Sequence, residues 1–289
     1  QLLNKAKETK RPFNELLQYY VIEKFLLRMS QSPYTDEFVL KGALLLRAIG
    51  ISEFRPTRDI DVLKYGKDSI PKVKNIIAEC CSIEVKEDGL NFDPKSVISE
   101  EIRKQEEYDG IRITLQSTLG NARIHLQIDI GFGDVVTPEP LLIEYPTLID
   151  VETPRLKAYT LESAIAEKYQ AMVDKGVLNS RMKDYYDIYY LCENRSFKGE
   201  QLQSAIEKTF QRRKTAIPKE VPIALSPDFY ENDTKVHQWE AFIHKISDYR
   251  TPQNLKIIVS RVYNFLWPVT KNISIQKPFL ADWENKKWE

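Results

Sequence analysis

Three residues constrain this chain most: Gly42, Asp59 and Asp61, in the stretch FVLKGALLLRAIGISEFRPTRDIDVLK at positions 38–64. Its pattern predicts a short strand over 38–41, broken at Gly42 into a helix to about Ile49. A loop carrying Arg55, Pro56, Thr57 and Arg58 follows, and then a second strand from Asp59 to about Leu63. Side chains two apart on a strand share a face, so Asp59 and Asp61 stand together while Ile60 and Val62 face the other way. Paired carboxylates repel unless a cation lies between them, and such hard oxygen donors suit Mg²⁺ with substrate phosphates completing its shell. A glycine at a strand-to-helix junction lets a phosphate approach the helix's free N–H groups. A metal site beside a phosphate site points to nucleotide chemistry.

The rest of the composition sets bounds. At 289 residues the chain can form two domains, or one large one, with a well-buried core. Lys plus Arg equals Asp plus Glu, 42 of each, so strong overall attraction to nucleic acid is not implied, though a local basic patch is compatible. Three cysteines, Cys80, Cys81 and Cys192, make no disulfide framework and suit a reducing, cytoplasmic setting. No apolar run reaches the roughly 18 to 20 residues of a membrane span, so no membrane partner is expected. No signal peptide is visible, and the missing initial Met points to a processed or trimmed start.

Helical periodicity is expected over 12–29 and 70–81. Residues 83–85 suggest a short strand, while 88–107 are charged, weakly patterned and read as loop with one short helix at most. A hairpin follows: Ile111, Ile113 and Leu115 alternate with polar residues, Gly120-Asn121 supplies the turn, and residues 123–130 alternate again. In that second strand Asp129 lies on the polar face with Arg123, His125 and Gln127, able to join Asp59 and Asp61 if the strands are neighbours. Residues 141–145 suggest a last strand. From about Thr153 the period changes from 2 to 3.6, which places a boundary between domains 1–150 and 151–289. Helices are expected over 160–175, capped by Thr160, and over 181–192, 201–214, 236–246 and 255–267.

Each candidate has a functional and a structural reading. Lys41 is a phosphate ligand or a surface lysine beside a turn. Arg55 and Arg58 clamp phosphate oxygens or merely neutralise the acids. Thr57 orients a nucleotide or bonds its own backbone. Lys168 interrupts the apolar stripe of Leu161, Ile165 and Met172, either snorkelling to solvent or pointing an ammonium at a phosphate. Asp187 lies within a Tyr-rich run, where a carboxylate is costly without a dedicated partner. The basic run Lys208, Arg212, Arg213, Lys214 is an ordinary solvated face unless turned toward a phosphate backbone. His125, His237 and His244 lack metal or triad spacing, and no nucleophile-elbow or P-loop pattern occurs.

Taken together, Lys41-Gly42, Arg55-x-Thr57-x-Asp59-Ile60-Asp61, Asp129, Glu167-Lys168 and Arg181-x-Lys183-Asp184-x-x-Asp187 resemble the AbiEii/AbiGii nucleotidyltransferase toxins. These belong to the polymerase-beta-like nucleotidyltransferase superfamily and include the mycobacterial MenT toxins. The resemblance covers most of the chain. It implies an α+β fold in which a mixed-sheet nucleotidyltransferase domain is followed by a helical domain facing it across a cleft. It also implies an antitoxin encoded nearby, in a type IV toxin–antitoxin or abortive-infection system with a role in antiviral defence. The activity it implies is transfer of a nucleotide from an NTP to RNA, in MenT the tRNA acceptor end, with Mg²⁺ or Mn²⁺ as cofactor. On that resemblance Asp59, Asp61 and Asp129 match the metal-binding acids, with Asp134 close enough to compete for the third place. Lys168 matches a lysine of the helical lobe and Asp184 with Asp187 its last acidic motif; Lys168 and Asp187 are thus catalytic candidates, and Lys41, Gly42, Arg55, Thr57, Arg58 and Asp184 are the nucleotide-binding candidates. One departure stands out: the family often has Gly-Gly where this chain has Gly42-Ala43. A protein or small-molecule acceptor, or a non-catalytic nucleotide- or RNA-binding role, remains open on the residues alone.

Overall fold

The computed structural model describes residues 1–50, 57–66, 68–85, 88–104, 108–149, 152–246 and 250–289. They form two compact units. The first comprises Gln1–Ile49, the described part of Pro56–Asp134, and Pro140–Tyr159; the second takes Gly50, Val135–Glu139 and Thr160–Glu289.

The first unit is built on a mixed sheet. After a short helix α1 (Leu2–Thr9), α2 (Phe13–Gln31) supplies much of the core, with Leu16, Val21, Ile22, Phe25 and Leu26 fully buried. Three of its ionic residues, Glu23, Lys24 and Arg28, are buried too. Arg28 pairs with Asp88 at 2.5 Å and lies over the Phe92 ring, and Glu23 accepts a hydrogen bond from the Leu148 amide. Strand β1 (Phe38–Lys41) runs straight into α3 (Gly42–Ala48), and β2 (Asp59–Lys64) returns beside it; α4 (Ile70–Cys81) follows, capped by Ser69. The remaining strands are β3 (Leu90–Phe92), β4 (Ile98–Lys104), β5 (Tyr108–Leu119), β6 (Ala122–Phe132), β7 (Leu141–Glu144) and β8 (Arg155–Ala158). Among the described residues eight strands make one sheet in the order β3-β5-β6-β2-β1-β8-β7, with β4 also on β5. The pairs β2–β6 and β1–β8 are parallel and the others antiparallel.

The second unit is mainly helical: α5 (Leu161–Lys175), α6 (Met182–Asn194), α7 (Gly199–Arg212), α8 (Pro227–Tyr230), α9 (Asp233–Ile246) and α10 (Leu255–Ser274). Thr160 caps α5 as its sequence predicts, accepting from the Ser163 amide. Tyr169, Tyr185, Phe210, Trp239 and Phe265 fill the core. A small sheet of β9 (Phe197–Lys198), β10 (Asp282–Glu284) and β11 (Lys287–Trp288) closes over α10, where Trp283 and Trp288 pack on Phe265 and Trp283 Nε1 donates to the Cys192 carbonyl at 2.7 Å.

Several local expectations are corrected. Residues 83–85 form no strand. Residues 90–92 and 98–104 are strands rather than loop, because the outer edge of β5 supplies the backbone partners that a charged, weakly alternating segment does not advertise. The last long helix runs past Pro268 to Ser274. Proline removes one helical N–H bond, but Val269, Thr270 and Ile273 beyond it are buried, and that burial favours continuing the helix.

Candidate active site

Strand register brings the first group of side chains together. Residues directly opposed on neighbouring strands share a face. Lys41 on β1 opposes Asp61 on β2, Asp61 opposes Asp129 on β6, and Asp129 opposes Arg112 on β5. A single row thus crosses four strands as Arg112, Asp129, Asp61, Lys41, with two carboxylates between two cations. Asp59, two residues before Asp61, stands on the same face opposite Gln127. Asp59 and Asp61 are half-buried, whereas Ile60 and Val62 between and after them are buried.

Gly42 shapes the row at Asp61. Its φ is +70°, and a Cβ there would lie 2.2 Å from Asp61 Oδ2, so the Asp61 carboxylate fills the space that any other side chain would need. Among the described residues Asp61 makes no hydrogen bond or ion pair through its carboxylate. Asp129 is held: Arg112 Nε donates to Oδ1 and Nη2 to Oδ2, both at 2.8 Å, and Gln127 Nε2 approaches Oδ1 at 3.3 Å. Hydrogen bonding to Asp129 raises the Arg112 pKa; the charges of Asp59 and Glu100 act in the same direction, against partial burial. Lys41 Nζ lies 3.1 Å from Asp134 Oδ2 and over the Tyr159 ring. Of the two rivals for third acid, then, Asp129 stands beside Asp61, while Asp134 lies past the end of β6 and pairs with Lys41.

The loop residues divide. Thr57 exchanges hydrogen bonds with the Asp59 backbone, and its amide donates to Tyr19 Oη at 3.1 Å. Arg58 is exposed, and Arg55 lies outside the described residues.

The second unit gathers the remaining candidates. Lys168 on α5 bridges two acids of α6, with Nζ 2.8 Å from Asp187 Oδ2 and 3.2 Å from Asp184 Oδ1. Arg181 Nε lies 2.5 Å from Asp184 Oδ2. Both carboxylates are fully buried and the lysine side chain is 11% exposed. Burial pushes the Asp184 pKa up, but the charges of Lys168 and Arg181 outweigh it and hold that carboxyl down at about 2. Lys168 therefore does not snorkel; it neutralises buried acids. Next to it Arg213 pairs with Glu167 at 3.2 Å and donates to Gln170.

Arg112 escapes notice when the sequence is scanned for acids, yet the hairpin turn locates it. With Gly120-Asn121 as a two-residue turn, Leu119 opposes Ala122, and counting outward along both strands pairs 112 with 129.

The donor set fits a hard divalent cation. Asp59 and Asp61 present half-buried carboxylates on one face, and among the described residues that of Asp61 makes no hydrogen bond or ion pair. Among the described residues no three His, Cys, Asp or Glu side chains converge into a ready metal cage. Mg²⁺ is commonly bound through one or two carboxylates plus substrate phosphates.

The family described as nucleotidyl transferase AbiEii toxin, type IV TA system, matches residues 24–264. This chain belongs to the AbiEii family. No curated protein matches it. Among solved structures it resembles JHP933 from Helicobacter pylori, with a TM-score of 0.51 at 14% identity over 91% of this chain and 97% of that one. A protein from H. pylori described as a candidate nucleotidyltransferase gives a TM-score of 0.53 at 13% identity over the same shares. At such identities these two likenesses concern the fold. They agree with the α+β architecture expected for an AbiEii protein, and the type IV system of the family implies an antitoxin partner. No described helix is long and apolar enough to cross a membrane.

Proposed function

We propose that this AbiEii-family protein is a Mg²⁺-dependent nucleotidyltransferase that moves a nucleotide from an NTP onto RNA, with the acceptor end of tRNA as substrate, and so acts as a growth-arresting cytoplasmic toxin. The observation that carries the proposal is the carboxylate row: Asp61 beside Asp129 in register on parallel strands, Asp59 on the same face, and Asp61 fitted against Gly42. When bound, the divalent ion would supply Lewis-acid neutralisation of phosphate charge and lower the pKa of an attacking hydroxyl. Asp59 and Asp61 would hold it, with Asp129 as the third oxygen donor. Lys41 and Gly42 adjoin Asp61 and are assigned to the nucleotide phosphates, as are Arg55 and Arg58 in the preceding loop. Thr57 is assigned to positioning Asp59 through its backbone bonds. Lys168, Asp184 and Asp187 are assigned to the same reaction as a preorganised charged cluster. Positioning and electrostatics carry most of such phosphoryl-transfer catalysis.

The test is incubation with each labelled NTP, total tRNA and Mg²⁺. Label is expected on RNA, and the double variant Asp59→Ala, Asp61→Ala is expected to abolish transfer and toxicity with an unchanged circular dichroism spectrum. Label on protein alone would redirect the acceptor, and nucleotide binding without transfer to any acceptor would overturn the reading. Toxicity retained in the double variant would sink the enzymatic mechanism.

A further inference from the structure

We propose that Arg112 is a positioning residue that competes with a divalent cation for Asp129: its guanidinium bonds both oxygens of the carboxylate that the ion would take. The inference rests on the metal reading of Asp59, Asp61 and Asp129 given above. Arg112 lies in register between two acids, Glu100 on β4 and Asp129 on β6. Among the described residues its side chain bonds only to Asp129. The planar fork matches both carboxylate oxygens at once, a geometry that lysine cannot copy. Lys41, at the other end of the row, is directed to Asp134. Among the described residues Arg112 thus bonds Asp129 directly, holding that carboxylate in one orientation while offsetting its repulsion with Asp61 beside it.

Competition has a readable consequence. Removing one positive charge a few ångströms from the ion is expected to tighten divalent-cation binding roughly 3- to 10-fold. The Arg112 side chain is 41% exposed, so it can swing from Asp129 into solvent without unfolding its strand.

Mn²⁺, which is paramagnetic, is the probe. Free Mn²⁺ is followed by electron paramagnetic resonance in titrations of the wild type, Arg112→Gln, Arg112→Lys and Asp61→Asn. Arg112→Gln is expected to bind Mn²⁺ roughly 3- to 10-fold more tightly while losing turnover. Arg112→Lys, which keeps the charge, is expected to stay within about twofold of wild type. Asp61→Asn is expected to lose the site. Unchanged or weaker binding by folded Arg112→Gln would overturn the proposal. Absence of Mn²⁺ binding in wild type and variant alike would overturn the metal reading itself, and this inference with it. A measurement on the wild type avoids reliance on any variant's folding: the Arg112 Nε–H resonance, hydrogen-bonded in chelator, is expected to shift on Mg²⁺ addition. A resonance that ignores Mg²⁺ would also overturn competition.

Discussion

Asp61 occupies the volume in which a side chain at position 42 would have to lie: a Cβ on Gly42 would be 2.2 Å from Asp61 Oδ2. No rotation within the glycine relieves this, because its φ of +70° already disfavours any residue with a Cβ. Gly42→Ala should therefore displace the Asp61 carboxylate. Since Asp61 lies beside Asp129 in register, its displacement disturbs the carboxylate row proposed to hold the metal. We expect nucleotide transfer to fall on the order of 100-fold, as for an ångström-scale misplacement of reacting groups. Fold is retained, because the affected atoms lie at one strand-to-helix junction. Steady-state kinetics beside a thermal melt decide this, and wild-type turnover in Gly42→Ala would show that Asp61 tolerates movement.

Lys168 neutralises two acids that have no access to water. Asp184 and Asp187 have 0% side-chain exposure, and Lys168 Nζ contacts both. Taking away one member of a buried ionic cluster leaves charge uncompensated, which costs about 3–5 kcal/mol. Lys168→Met keeps most of the apolar stem and deletes the charge, so it isolates that effect. Urea denaturation should place the variant about 3–5 kcal/mol below wild type. Equal stability would mean that the acids find another partner or become protonated, and would leave Lys168 a role in substrate binding alone.

The elements whose periodicity was complete within the segment were legible: α2, α4, α5, and the β5–β6 hairpin with its Gly120-Asn121 turn. Those defined by a partner were not. Strands β3 and β4 exist because the edge of β5 is available to them, and β9, β10 and β11 are too short to show alternation. Pro268 reads locally as a helix end, yet the buried face beyond it carries the helix on. At the candidate site, Asp59 and Asp61 are visible through strand spacing, and Asp129 through alternation. Arg112 required the register of a hairpin rather than a residue type. The Lys168–Asp184–Asp187 cluster joins two helices across a gap of 16 residues, for which sequence spacing offers no rule.

The same cluster should set an acid limit on stability. Asp184 has its carboxyl pKa lowered from 3.8 to about 2, because attraction to Lys168 and Arg181 outweighs the opposing effect of burial. A carboxylate with a folded pKa below its unfolded value binds protons more weakly in the folded state. Its contribution is therefore fully present above about pH 4 and is lost as pH falls toward about 2. A shift of this size corresponds to about 2 kcal/mol. Asp184→Asn removes the titrating group and keeps the side-chain shape. It should be less stable than wild type at pH 7, where Lys168 and Arg181 lose their shared counter-charge. Between pH 5 and pH 2.5 the gap between the two proteins should narrow, since protonation progressively does to the wild type what the substitution has already done. Urea midpoints measured across that window test this. Parallel loss of stability in both would place the acid-sensitive group elsewhere.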